Sequence, residues 1–165
     1  MRKITLEDHF SVPAMSYRLQ RKFASDFAKE LDARLLDIER WRLPEMDRYG
    51  VDVQVLSFTC PGIQGIPDAP TAITTAKTLN DTLADLVRSH PTRLAGFATL
   101  PMQDPKEAAS ELERAVTQLG FKGALVNGHT NGQYLDEQQC WVVFERAEVL
   151  GCPFTCIPSI RPPIR

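Results

Sequence analysis

The sequence has no surplus of positive charge: 19 Lys and Arg stand against 21 Asp and Glu in 165 residues, a formal net charge of -2. Its basic residues are scattered rather than striped, so the electrostatic footprint of a nucleic-acid binder is missing and small molecules are the expected partners. No apolar run reaches the roughly 18 to 20 residues that span a bilayer. Arg2, Lys3, Glu7 and Asp8 put charge where a signal peptide needs an apolar core. No membrane partner is expected, and the cytoplasm is the expected compartment. Cysteine is sparse: Cys60, Cys140, Cys152 and Cys156 form no C-x-x-C pair and lack the density of a disulfide scaffold, which predicts reduced thiols. Neither G-x-G-x-x-G after a strand nor G-x-x-x-x-G-K-[ST] occurs, which removes the usual nucleotide-binding signatures.

What is present is the composition of one globular domain, 43% hydrophobic and 24% charged. ITLEDHF has the pattern of a short strand. FASDFAKELDARLLDIERWRLPEMDRYG carries helical apolar spacing at Leu31, Leu35, Ile38 and Leu43, with Pro44 in the first turn of a second helix that Gly50 ends. VDVQVLSF is a compact apolar strand, and the turn-rich TCPGIQGIPDAP after it is expected to lack rigidity without a partner. Ile73, Ala76, Leu79, Leu83 and Leu86 form a helical stripe stopped by Pro91, and RLAGFATL is the next strand. Asp104 as N-cap, Pro105 at the first helical position and Gly120 at the end bracket another helix, followed by the strand KGALVNG. EQQCWVVFERAEVLG reads as a helix with Trp141, Val142, Phe144, Ala147 and Leu150 apolar, and CPFTCI as a final strand. Trp41 and Trp141, both in helical patterns, are expected to pack.

Alternating strands and helices predict an α/β fold with parallel strands and right-handed crossovers. Two architectures satisfy it: an open doubly wound sheet, or successive units of a (β/α)8 barrel. In a regular first strand Thr5, Glu7 and His9 share one face, while Ile4, Leu6 and Phe10 point the other way with Asp8. At the C-terminal end of a barrel strand that polar face looks into the lumen, where catalytic groups sit. A carboxylate and an imidazole so placed can both reach one divalent cation. By spacing alone E-x-H is more often the polar end of a strand than a metal site, since a catalytic zinc takes three protein ligands and a water.

TLEDHF, LLDIERWRLPEMDRYGVDVQVLSFTCPGIQGIPD, RLAGFATLPMQDPKEAASELERAV, GFKGALVNG and FERAEVLGCPF, in that order, resemble the metal-dependent amidohydrolase-related decarboxylases. This group includes the 2,3-dihydroxybenzoate, γ-resorcylate and aminocarboxymuconate-semialdehyde decarboxylases. The resemblance implies a (β/α)8 barrel with Glu7 and His9 as metal ligands. It also implies Asn127 near the substrate, whose alternative role is a loop asparagine taking positive φ before Gly128. His129 reaches the same mouth or is an exposed loop histidine. The Gln64 to Asp68 loop lies on the same rim.

The chain departs from that pattern near its end. Where the resemblance calls for a third ligand histidine after the fifth strand, PFTCIP places Ile157, and Cys156 beside it points to the other face of a regular strand. The later histidine and aspartate of the family have no counterpart here. A complete barrel is typically ~250 residues, so the expectation is a partial barrel of about five βα units, a truncated domain over residues 1–157 with an irregular tail over 158–165. Arg161 and Arg165 fall in that tail, where a solvated end is the expectation. Open strand edges favour pairing with another chain, and a homo-oligomer is one outcome.

The function implied is a metal-dependent carboxy-lyase acting on a small aromatic or unsaturated carboxylic acid. Zinc is the expected ion, with manganese or magnesium as alternatives, and no organic cofactor is expected. The single chain is expected to show weak or absent turnover. A metal-dependent hydrolase on the same scaffold is the second reading. The third is a non-catalytic fragment or interaction module.

Overall fold

The structure is a computed structural model that describes residues 1–15 and 26–158. Five apolar segments form one parallel sheet: β1 (Ile4–Phe10), β2 (Val53–Phe58), β3 (Leu94–Ala98), β4 (Gly123–Asn127) and, after a two-stranded hairpin of β5 (His129–Thr130) and β6 (Gln133–Tyr134), β7 (Phe154–Ile157). Their order across the sheet is β1-β2-β3-β4-β7, which is the order in sequence. An open doubly wound sheet needs a point where the order reverses. With no reversal, right-handed crossovers put every helix on the same side. This is the arc of a barrel, and it decides between the two architectures left open by the sequence.

The helices are α1 (Asp26–Leu36), α2 (Leu43–Tyr49), α3 (Ala69–Ser89), α4 (Pro105–Thr117) and α5 (Trp141–Leu150). Their packing against the outer face of the sheet forms the main core, which holds the fully buried Leu56, Leu83, Leu112, Val126 and Val143. Each fully buried aliphatic side chain of this kind contributes about 1.5–3 kcal/mol. On the inner face only Val55, Phe97 and Leu125 are buried together, with Ala95 and Ile157 packed at their margin. Most of the apolar stabilisation therefore lies outside the sheet, and the small inner cluster is the floor of the lumen.

Caps appear where the sequence places them. Asp104 accepts hydrogen bonds from the amides of Lys106 and Glu107, with Pro105 opening α4. Asp68 accepts from the Thr71 amide at the start of α3, and Gly50 ends α2 at φ +64. Between α1 and α2, Asp37 turns the backbone out of the helix and caps a π-helical turn, Ile38–Arg42. Leu31, within α1, is 41% exposed and does not join the stripe expected from spacing.

Two further expectations are corrected. The turn-rich segment after β2 is packed by its own side chains: Ile63 and Ile66 are buried, and Gln103 Nε2 donates to both of their carbonyls at 2.7 Å. Its aliphatic residues are packed into the main core rather than left open at the rim. The tryptophans are not core residues. Trp41 is sandwiched at the surface by the Arg34 and Arg40 guanidinium groups, and Trp141 is half exposed with its indole N–H donating to the Asp136 carbonyl. Cation–π contact and a satisfied N–H make such exposure tolerable.

One polar network runs through the main core. Asn80 is fully buried, donates to the Thr99 carbonyl and to Glu111 Oε1, and accepts from the Thr99 amide. Glu111, also buried, is held bidentately by Arg114, whose Nη1 reaches Asp81 at 2.7 Å. That carboxylate pair pushes the Arg114 pKa up. Together they pin the chain leaving β3, which runs into the barrel mouth.

Candidate active site

β1 is not a regular strand. Thr5 pairs with Gln54 and Asp8 with Leu56, so Leu6 and Glu7 together stand opposite the single residue Val55, and Glu7 takes φ +61. This is a β-bulge. It corrects the alternation expected from sequence. Thr5 is level with Gln54 and His9 with Ser57, three positions apart on β2, so Thr5 and His9 lie on opposite faces. His9 shares its face with Ser57 and Val55, the lumen side. Glu7 is the exposed bulged residue beside it.

His9 is held by its Nδ1, 3.1 Å from Ser57 Oγ. With the proton on Nδ1 donated toward Ser57, Nε2 keeps its lone pair for a metal or an acid. Burial pushes the His9 pKa below its ordinary value, opposed by hydrogen bonding to Ser57 and by the charges of Glu7 and Asp8. The neutral, ligating form is therefore favoured. Glu7 supplies a carboxylate whose charge is felt at the same ring. An imidazole and a carboxylate fit a divalent cation as donors. Among the described residues no group of three His, Cys, Asp or Glu is gathered for one ion. The pair offers two donors, a carboxylate and an imidazole, on one strand.

Asn127 closes β4 on the lumen side and lies level with Ile157 of β7. It has no positive φ; the left-handed asparagine is Asn131, which with Gly132 makes the tight turn of the β5–β6 hairpin. Asn127 is 7% exposed, and its amide donates to the Pro61 carbonyl and to Gln64 Oε1, both at 3.0 Å. Its own Oδ1 has no hydrogen-bond partner among the described residues. Gln64 completes the group by donating weakly to the Leu100 carbonyl at 3.5 Å. Gly62 leaves room for this contact, since a Cβ there would stand 2.6 Å from Gln64 Oε1 and 2.8 Å from Asn127 Nδ2.

His129 is not an exposed loop residue. It is half-buried in β5, its ring edge-on to Tyr134 with centroids 5.9 Å apart, and its Nδ1 is buried without a hydrogen-bond partner among the described residues. The hairpin that holds it was signalled by Asn131-Gly132 between HT and QY. Gln64 had no sequence signal beyond its place on the rim. No hydrogen bond joins Asn127 or His129 to Glu7 or His9 among the described residues. The two pairs occupy separate parts of one mouth.

The profile of the Amidohydrolase family matches residues 9–162. The chain belongs to that family. The γ-resorcylate decarboxylase of Polaromonas sp. JS666 is 42% identical over 162 residues, which is 94% of this chain and 50% of that protein. A 2,6-dihydroxybenzoate decarboxylase solved in complex with 2,6-dihydroxybenzoate superposes with a TM-score of 0.92 at 40% identity, covering 99% of this chain and 52% of that one. A dihydroxybenzoic acid decarboxylase from Polaromonas sp. JS666, solved with bound manganese and 2-nitroresorcinol, gives 0.91 at 43% identity, covering 98% and 51%. The chain spans about half the length of the curated relatives it matches.

Within this family barrel the β7 side of the mouth is apolar. Ile157 is level with Asn127 and packs on the lumen floor, so the position that the resemblance gives to a ligand histidine carries an alkyl group. β7 is regular over its length, so Cys156 lies on the helix side, level with Val126, and is no substitute ligand. The free cysteines show no disulfide among the described residues. Residues 159–165, with Arg161 and Arg165, lie outside the described residues. No helix among the described residues is long and apolar enough to cross a membrane.

Proposed function

We propose that this chain supplies the β1 side of a divalent-metal carboxy-lyase site for a small aromatic acid. The observation that carries the reading is the near-complete superposition on a decarboxylase holding 2,6-dihydroxybenzoate, combined with His9, Ser57 and Asn127 facing the lumen at the C-terminal rim. Glu7 and His9 are the residues that hold the ion. A divalent metal held by these residues would supply Lewis-acid chemistry to an acidic substrate. Manganese is the ion in a solved neighbour, and the imidazole–carboxylate donor pair accepts zinc equally well.

The chain's own residues do the positioning. Ser57 holds the His9 ring through Nδ1, and burial lowers the pKa of that imidazole, which favours its neutral form. The unpartnered Oδ1 of Asn127 accepts a hydroxyl from the acid, and His129 lends a ring nitrogen at the outer edge of the mouth. Burying an acceptor without a donor costs about 1–3 kcal/mol, so a substrate hydroxyl that satisfies Asn127 gains from a group already desolvated.

Calorimetric titration of the chain with Mn²⁺ and Zn²⁺ tests this. Binding is expected, lost in Glu7→Gln and in His9→Ala, and tightened by 2,6-dihydroxybenzoate because the acid chelates the same ion. Metal binding unaffected by either substitution, or indifferent to the acid, overturns the reading. In a direct assay for carbon dioxide the chain alone shows weak or absent turnover, and robust turnover would contradict that expectation. Hydrolysis of an ester or lactone without carbon dioxide release would favour the hydrolase reading, which the family profile also accommodates.

A further inference from the structure

Two backbone irregularities meet behind the E-x-H motif. One is the bulge of β1 at Leu6 and Glu7, and the other is the π-helical turn Ile38–Arg42. Such turns insert an extra residue into a helical coil and are frequent at functional sites. The residue ending this one, Arg42, reaches across to the outer face of β1. Its Nη2 donates to the His9 carbonyl, its Nη1 donates to Gln54 Oε1 at 3.1 Å, and Nη1 lies 3.8 Å from Asp8 Oδ1. Thr5 and Asp8 bracket the bulge on that same face, and the Thr5 hydroxyl donates to Asp8 Oδ2 across it.

This polar group occupies the layer between sheet and helices, where apolar residues are the rule. The Arg42 side chain is 13% exposed and that of Asp8 24%. Burial pushes the Arg42 pKa down, opposed by the Asp8 charge. Replacing such an ion pair by well-packed apolar side chains is often neutral or stabilising, so stability is a poor reason for its presence. Its contacts converge instead on the two residues flanking a non-glycine backbone at φ +61 and on the carbonyl of His9.

We propose that Thr5, Asp8 and Arg42 form a clasp on the outer face of β1 that holds the bulge and so fixes Glu7 relative to His9, which lies on the inner face. These are positioning residues. The proposal rests on the reading of Glu7 and His9 as metal ligands for its consequence, but the geometry it describes exists without a metal. The bulge turns two residues of one strand into neighbouring donors, and the clasp keeps the strand from relaxing to plain alternation.

Two variants test it in the full chain: Arg42→Met, which keeps the stem and drops the guanidinium, and Thr5→Val, which keeps the volume and drops the hydroxyl. The first readout is the ¹³Cα and ¹³Cβ shifts of Glu7, which report left-handed backbone independently of any ion. The second is Mn²⁺ affinity by electron paramagnetic resonance, with the thermal midpoint followed alongside. The expected result is a left-handed Glu7 signature in the unsubstituted chain that moves to extended values in both variants, with Mn²⁺ bound at least tenfold more weakly. Glu7 shifts that stay left-handed in both variants, or that are never left-handed, overturn the proposal. If the unsubstituted chain binds no Mn²⁺, the metal reading fails and the Glu7 shifts alone decide the clasp. If Arg42→Met does not fold, Thr5→Val decides it.

Discussion

Replacing Asn80 by alanine is the sharpest test of how the barrel mouth is held. The Asn80 side chain is fully buried and makes three hydrogen bonds: to the Thr99 carbonyl at 3.0 Å, from the Thr99 amide at 2.9 Å and to Glu111 Oε1 at 2.7 Å. Alanine removes all three and strips the Thr99 amide and carbonyl of these partners. A net hydrogen bond is worth about 0.5–1.5 kcal/mol, and a buried group left without a partner costs about 1–3 kcal/mol. Glu111 keeps both contacts to Arg114, so its share of the loss is small. The expected destabilisation is therefore about 3–4 kcal/mol, a large part of the 5–15 kcal/mol that holds a typical domain together. Urea unfolding followed by far-ultraviolet circular dichroism measures it, with an unchanged slope expected because the same surface is exposed. A loss below about 1 kcal/mol would refute the claim that this network pins the end of β3. Its consequence reaches the mouth, since the following carbonyl, that of Leu100, accepts from Gln64, the partner of Asn127.

Gly123→Ala places a Cβ 2.1 Å from the Pro153 carbonyl oxygen, the acceptor that the Ala124 amide uses to join β4 to β7. Backbone cannot yield as a side-chain tip does, so a loss of about 3 kcal/mol or more is expected in the same assay, and a neutral result would contradict the β4–β7 register. Ile157→His puts an imidazole on the lumen face level with Asn127. Calorimetry is expected to show Mn²⁺ or Zn²⁺ bound about tenfold more tightly or better, ~1.4 kcal/mol, and unchanged affinity would show that β7 does not face the ion. His9, whose pKa burial holds below its ordinary value of 6.5, takes up a proton later in the folded than in the unfolded chain. Its contribution to stability is full above the unfolded value of about 6.5 and is lost as pH falls from there through the folded value. Proton NMR of the His9 ring is expected to give a midpoint below 6.5, and a raised midpoint would refute the assignment of burial as the dominant influence.

The elements that the sequence made legible are those whose signals are local. Asp104-Pro105, Gly50 and Pro44 announce caps whose hydrogen bonds close within one turn, and each sits where expected. The strands were legible because runs such as VQVLSF and GALVN are short and mostly apolar, as buried parallel strands tend to be. The bulge was not, because nothing in TLEDHF marks Glu7 for positive φ; glycine or asparagine would have, and the constraint comes from Arg42, thirty-odd residues away in the chain. Asn127 illustrates the opposite error. Its neighbour Gly128 mimics a turn, yet Asn127 is the last residue of β4 with no positive φ, and the real turn four residues on carries the stronger Asn-Gly signal. The exposed tryptophans misled for a third reason: helical spacing counts an aromatic as apolar, and it is insensitive to the arginines beside Trp41 and to the hydrogen bond of the Trp141 indole N–H that make the surface acceptable.

The distribution of donors across the arc follows from these placements. On the β1 side the lumen face carries His9 against Ser57, with Glu7 bulged beside it. On the β7 side, at the level of Asn127, Ile157 extends the apolar floor of Val55, Phe97 and Leu125. A branched alkyl group there adds packing where a histidine would add a donor, so on the proposed reading the metal donors among the described residues are the two of a single strand. Two donors on one strand are held in relation only by that strand's backbone. An ordinary strand would set Glu7 and His9 by the pleat, and the bulge replaces the pleat with a conformation that a glutamate rarely adopts unaided. The polar contacts of Arg42 and Asp8 lie outside the lumen, at the one point where they bear on that conformation without entering the site. On the proposed reading, the outer face of β1 thereby sets the geometry of the donors at its inner face.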